Sequence, residues 1–210
     1  MRTRRLLSAL LIVTGLALCG VAARHYVRGW QAQAEGRRRL AGGERRENPG
    51  MARISDRLGL DSVDIPDSGA IPPGYPYGEP IARLKIPIAR IDAVVFAGAD
   101  QDTLEKGPGH VPGTEMPGVA GPIHNCVITG HRDSHFRRLG WLKPGTEIEL
   151  DAPGGNRRYR VVSREIVKPD AVRVLEPTAR PRLTLITCYP FNYVGPAPRR
   201  LVVVAVPLPI

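Results

Sequence analysis

The sequence predicts an all-β domain folded as a closed or nearly closed barrel, preceded by one apolar segment and a polar connecting stretch. Three observations point there. Short runs with period-two alternation or strand-type composition recur from residue 77 onward. Turn signals such as Pro144-Gly145 and Pro153-Gly154-Gly155-Asn156 separate several of them. Almost nothing in this region has helical periodicity, and many short strands without covering helices favour closure of the sheet on itself.

Taken in order, Leu6 to Ala23 form eighteen residues without a charge, bracketed by Arg2, Arg4 and Arg5 before and Arg24 after. That length reaches the lower end of a bilayer-spanning helix. A retained signal anchor is the favoured expectation. The run is longer than the apolar part of a cleaved signal peptide, and Leu18 stands where a lipoprotein site at Cys19 needs a small residue. Charges on both sides compete, so charge counting leaves the orientation open. Residues 24–76 read as a stalk. Trp30 to Glu35 and Arg37 to Leu40 have helix-forming composition, interrupted at Gly42-Gly43 and Asn48-Pro49-Gly50. Ile54 to Leu60 form a short amphipathic turn, and Ile65-Pro66 with Ile71 to Pro76 close the linker. Its expected role is a spacer.

The net charge of +10 is unevenly placed. Residues 1–50 carry ten Arg against Glu35, Glu44 and Glu47, which leaves +3 for the other 160 residues. The basicity flanks a membrane segment and a solvated stalk, and it argues against nucleic acid as a partner.

Within the domain, Ala82, Leu84, Ile86 and Ile88 alternate with Arg83 and Lys85 as in a half-buried strand, and Ile91 to Phe96 follow after a tight turn. Asp100 to Lys106 form one or two helical turns with Asp102 and Glu105 at capping-box spacing. Further strands are expected at Asn125 to Thr129, Thr146 to Leu150, Tyr159 to Val167, Leu183 to Thr187 and Leu201 to Val206. No internal repeat is visible.

The chemistry centres on Cys188. Leu183 to Thr187 run straight into this thiol, and Tyr189-Pro190 then breaks the pattern, so the cysteine sits at an exposed strand end where substrate can reach it. Arg199-Arg200 open the next apolar run. If the two strands are adjacent and antiparallel, Arg200 begins its strand beside the end carrying Cys188. A proton carrier is available in His131, which follows the short strand Val127-Ile128-Thr129 and Gly130.

In this order, Leu185-Ile186-Thr187-Cys188, Thr129-Gly130-His131 and Arg200 resemble the active-site signature of sortases, the cysteine transpeptidases of bacterial surfaces. The resemblance runs from about Tyr75 to the C-terminus. It includes Pro80 to Pro87, Gly107-Pro108-Gly109-His110 and Cys188-Tyr189-Pro190-Phe191, and these flanks look most like class D. It implies a closed barrel of about eight strands with one or two short helices over residues 77–210. It also implies a chain embedded in the cytoplasmic membrane by a single pass, with residues 1–5 inside, 6–23 spanning and the catalytic domain outside. Cys188 would attack a sorting signal resembling Leu-Pro-x-Thr-Gly in a second secreted protein, and an amine of peptidoglycan or protein would take over the thioester. His131 would serve as general acid and then base, and Arg200 would hydrogen-bond substrate or oxyanion. Thr187, His110, Val172, Val174 and Leu175 are the candidate substrate contacts. The last three lie in Lys168 to Pro181, which either forms a recognition wall or closes the barrel's end. No cofactor and no metal is expected.

Other readings compete. Cys126, mid-strand, is expected to be a buried small hydrophobe, although a Cys126–Cys188 disulfide would silence the nucleophile in an oxidising compartment. Arg199 is the rival of Arg200; the latter is preferred because it directly precedes the strand. Asp133 reads as a solvated turn carboxylate, His25 as interfacial, and His124 and His135 as flanking loop residues. An L,D-transpeptidase acting on peptidoglycan would carry Ser-x-Gly-Cys close after a His, which this chain lacks. A Cys-x5-Arg phosphatase loop fails at Val194. A zinc module using His110, His124, Cys126, His131 and His135 lacks paired-ligand spacing. An inactive scaffold kept for protein interaction is the remaining alternative.

Overall fold

A computed structural model describes residues 2–42, 76–119, 123–153 and 155–209; the rest, including the expected turn and linker between residues 43 and 75, lie outside the described residues. Alternating burial begins at β1 (Pro80–Ile86) and stops at Pro87, which opens a 3₁₀ turn over Pro87–Ala89 and turns the chain before Ile88 can extend the strand. After β2 (Ile91–Ala97) comes a single short helix, α2 (Gln101–Lys106). Its cap is Asp100, whose side chain accepts from Thr103 N at 3.0 Å, and not the expected Asp102. A two-residue strand, β3 (Gly109–His110), was not expected. The remaining strands are β4 (Asn125–Gly130), β5 (Glu147–Ala152), β6 (Gly155–Val167), β7 (Arg182–Tyr189) and β8 (Arg199–Pro207).

These eight strands close in the order β1-β2-β3-β4-β7-β8-β6-β5. Neighbours are antiparallel except β2 with β3 and β4 with β7. Leu84, Ile128, Leu150, Leu183, Leu185 and Val203 fill the interior and are wholly buried. Each such side chain contributes about 1.5–3 kcal/mol on burial. A second, smaller cluster of Val127, Val167, Val174, Ile186 and Val202 lies on the outer face of β4, β7 and β8. Since successive strand residues point to opposite faces, β4, β7 and β8 each send alternate residues into one cluster and the next. Residues 168–181 leave β6 and cover the outer cluster with Ala171, Val174 and Leu175.

Before the barrel, one helix, α1, runs Arg2–Ala41 and ends where Gly42 was expected to interrupt it. The boundary expected at residue 24 therefore falls inside a continuous helix about 60 Å long. Among the described residues no helix is long and apolar enough to cross a membrane. Within Leu6 to Ala23, the side chains of residues 6–11, 18, 21 and 22 lie outside the described set, as does that of His25.

The last turns of α1 are not a free spacer. The two-residue β3 pairs only with Phe96 and Ala97, so Val94 on β2 has no strand partner on that side. Gln33 takes the place of one. Its Oε1 accepts from Val94 N at 2.7 Å, and its Nε2 donates to Val94 O and to Lys106 O, both at 3.0 Å. The helix approaches this closely because of Gly36, where a methyl group would stand 2.8 Å from Val94 Cγ1. Replacing Gln33 with Leu strips both Val94 groups of their partners. Unfolding free energy in urea should fall by about 1–3 kcal/mol, and hydrogen exchange at the Val94 amide should accelerate; unchanged exchange would mean that the helix does not depend on this amide.

Candidate active site

Strand register decides what meets at the rim. In the parallel pair, Gly130 lies opposite Thr187, the last partners on that ladder. The chain therefore leaves β4 at His131 beside the point where β7 continues to Cys188. On the other side of β7, Cys188 is directly opposite Arg200, an antiparallel pairing that holds the α-carbons about 4.5–5.5 Å apart. Parity fixes the face. Ile186 and Val202 belong to the outer cluster, so Cys188 and Arg200, two residues away on the same strands, project outward as well. Val127 and then Thr129 set the same side for His131, the next residue in that series.

Two threonines lock β4 to β7 below this point. Thr187 Oγ1 donates to Gly130 O at 2.7 Å, and Thr129 Oγ1 donates to Ile186 O at 3.2 Å. Gly130 itself is tightly placed, for a methyl there would sit 2.9 Å from the Phe136 ring. Cys188, His131 and Arg200 are each half-buried. Arg200 donates from Nη1 to the carbonyls of Ala197 (3.1 Å) and Arg199 (3.0 Å), and among the described residues no carboxylate pairs with it. The preferred arginine is thus the one facing the cysteine; Arg199 is opposite Tyr189 and exposed.

Several sequence candidates do not reach this face. His110 is 1% exposed and opposite Ile128, inside the barrel. Its Nε2 lies 2.9 Å from Glu115 O and 3.1 Å from Thr114 Oγ1, while Nδ1 is buried without a partner among the described residues. It organises the loop after β3 and does not face the outer side that carries Cys188. Thr187 is also buried, with its hydroxyl committed to Gly130. Of the three candidates on the wall, Val174 is buried in the outer cluster, Leu175 is half-buried against it, and Val172 is 69% exposed. Val174 therefore closes the barrel's side, and only Val172 and Leu175 present surface.

Cys126 is buried and opposite Leu183, five residues before Cys188 along β7. That offset is about 17 Å, beyond the reach of a disulfide, and both thiols are free. Among the described residues no three of His, Cys, Asp and Glu converge as a metal site.

Three residues were missed. Asn125, wholly buried, donates to Val174 O and Glu176 O (3.1 and 2.9 Å) and accepts from Thr184 Oγ1 and Arg182 Nε, so it ties the wall to the far end of β4. Its strand-start position in the sequence carried no hint of this. Burial, and then the charge of nearby His131, lower the pKa of the His135 imidazole; a histidine four positions on in a turn-rich stretch was the available signal. Arg132 donates to three carbonyls of the β7–β8 loop.

With the geometry in place, the comparisons are specific. The sortase domain family matches residues 84–208. The chain belongs to the sortase family. It is 37% identical over 127 residues to Sortase D of Bacillus subtilis, a match covering 60% of this chain and 63% of that protein, which supports the class D branch. Less than two thirds of that relative is therefore spanned. Sortase C-1 of Actinomyces oris shares 32% identity with a TM-score of 0.57, covering 63% of this chain and 76% of its own. The Clostridium perfringens Sortase D5 transpeptidase shares the fold at a TM-score of 0.63 and 21% identity, covering 87% of this chain and 99% of its own.

Two outcomes follow from the burial pattern of this sortase. Brief iodoacetamide treatment should label Cys188 well before Cys126, whose thiol burial pushes far above its ordinary range; peptide mapping by mass spectrometry checks this, and equal labelling would contradict the burial. Burial likewise holds His110 neutral, its pKa below the ordinary 6.5. The unfolded chain takes up the proton first, so this contribution to stability is complete above pH 6.5 and is lost as pH falls toward the folded value. Urea titrations from pH 7.5 to 5 should show stability falling with acid. His110→Gln should flatten that slope; the fall that remains includes His135, whose lowered pKa acts with the same sign.

Proposed function

We propose that this sortase is a membrane-anchored cysteine transpeptidase that exchanges the acyl group of a C-terminal sorting signal. The observation that carries the reading is the register that sets Cys188 opposite Arg200 and beside the exit of β4 into His131. Cys188 Sγ attacks the backbone carbonyl of the Thr-like residue in a Leu-Pro-x-Thr-Gly-type signal. The C–N bond breaks, and the leaving amine takes a proton from His131. An acceptor amine, from peptidoglycan or protein, then gives a proton to His131 as it attacks the thioester, which releases Cys188 and returns the Cys–His pair to its starting protonation. The peptide bond is exchanged without ATP because the thioester keeps the acyl group activated. Arg200 supplies planar donors to the substrate carbonyl as charge develops on its oxygen. Its carbonyl partners are its own chain, so it can turn to a substrate without abandoning a buried carboxylate.

Val172 and Leu175 form the wall that meets the Leu-Pro side chains. Residues 6–23 span the cytoplasmic membrane once, with residues 1–5 inside and the barrel outside. Exposed Tyr26 and Trp30 beside Arg24 and Arg28 suit the interface just beyond that span.

The test is turnover of quenched fluorescent Leu-Pro-x-Thr-Gly-type peptides by the full chain. Cys188→Ala should abolish cleavage, and His131→Ala should lower kcat at least about 100-fold. Arg200→Lys should also be slowed, since an ammonium lacks the planar fork. Cleavage persisting in Cys188→Ala would reject the mechanism.

A further inference from the structure

The loop from Pro190 to Pro198 joins Cys188 to Arg200, yet among the described residues no backbone–backbone hydrogen bond lies within it. Its start is fastened by Phe191, which lies over Gly140 and meets Tyr189 edge-on at 6.0 Å. Beyond that, residues 192–196 are exposed, and the loop's carbonyls are held by two arginine side chains. Arg200 holds Ala197 from Nη1. Arg132 holds three others: Nη1 donates to Pro190 O at 3.3 Å, and Nη2 donates to Tyr193 O at 2.7 Å and Gly195 O at 2.9 Å. Its guanidinium also lies 5.9 Å from the centre of the Tyr193 ring. Among the described residues no carboxylate competes for it. Several carbonyls spread along one loop suit the fixed fork of a guanidinium and not the point charge of an ammonium.

Arg132 is also the residue after His131. Its backbone is therefore continuous with the proposed acid and base, and its side chain grips the loop that leads from nucleophile to oxyanion donor. The two arginines differ in what they are free to do. When Arg200 turns toward a substrate it gives up Ala197, and Arg132 is then the side chain still holding the loop's carbonyls.

We infer that Arg132 is a positioning residue, a clamp that keeps the β7–β8 loop in register with His131 while Arg200 is released to the substrate. The inference rests on the transpeptidase reading given above. It predicts a loss in the chemical step and not in ground-state binding, because misplacement by about 1 Å can cost on the order of 100-fold in rate.

In the full chain, Arg132→Met should lower kcat on a Leu-Pro-x-Thr-Gly-type peptide by about 10- to 100-fold with KM within about twofold. Arg132→Lys, which keeps the charge and loses the fork, should fall between Met and the parent. Chymotryptic cleavage after Phe191 or Tyr193 should accelerate in Arg132→Met while hydrogen exchange in β4 and β7 stays slow, which separates a loosened loop from a damaged barrel. If Arg132→Met misfolds, the Lys variant carries both measurements. Unchanged loop cleavage or unchanged kcat overturns the clamp, and so does a raised KM with kcat intact, since that is a direct substrate contact. A Cys188→Ala control separates the two readings: peptide turnover surviving there rejects the parent mechanism, while the susceptibility of the loop to chymotrypsin still decides the clamp.

Discussion

The parallel pairing of β4 with β7, flanked by antiparallel β8, is the constraint on which the site depends. Side chains on a strand alternate between faces, so a slip of one residue in this ladder would exchange its inner and outer residues. Leu183 and Leu185 would leave the interior, and Cys188 would enter it. The register is therefore held by the same burial that holds the barrel closed. It is reinforced where it matters most, by Thr187 on Gly130 and Thr129 on Ile186. Thr129 and Thr187 hold the strands together, and their neighbours His131 and Cys188 are left half-buried at the rim.

This division explains which candidates were legible in the sequence. Cys188 and Arg200 could be placed together because a strand end followed by a strand start constrains an antiparallel pair, and the ladder has them opposite one another. The face was harder. Thr187 sits beside the cysteine in sequence but on the opposite side of the sheet, and His110 matched its surroundings in the family while its two-residue strand points it inward. A motif gives adjacency along the chain, whereas exposure depends on parity within a closed sheet. Val174 failed for a related reason. An apolar residue in a connecting segment looks the same whether it awaits a ligand or covers Val127 and Ile186.

The features the sequence concealed are polar side chains that satisfy distant backbone. Gln33 completes the bare edge of β2 from 61 residues away, Asn125 reaches carbonyls 49 and 51 residues on, and Arg132 reaches across 58 to 63. None belongs to a periodic pattern, since each is set by where another segment happens to leave a donor or acceptor unpaired. Composition gave the helix over residues 30–40 correctly and its role incompletely. Its docked face uses the Gln33 amide, Gly36 and an Arg39–Glu79 ion pair at 3.2 Å, which no amphipathic stripe announces.

Docking of α1 has a consequence for geometry at the membrane. A spacer made wholly of flexible chain would leave the barrel free to tumble, but α1 continues without a break from the apolar run into the turn that carries Gln33. Ten residues separate Ala23 from Gln33, about 15 Å of helix. If residues 6–23 span the bilayer, the catalytic domain is held close to the headgroups on a rigid arm. The direction in which the face carrying Cys188 points would then follow from the angle of that one helix.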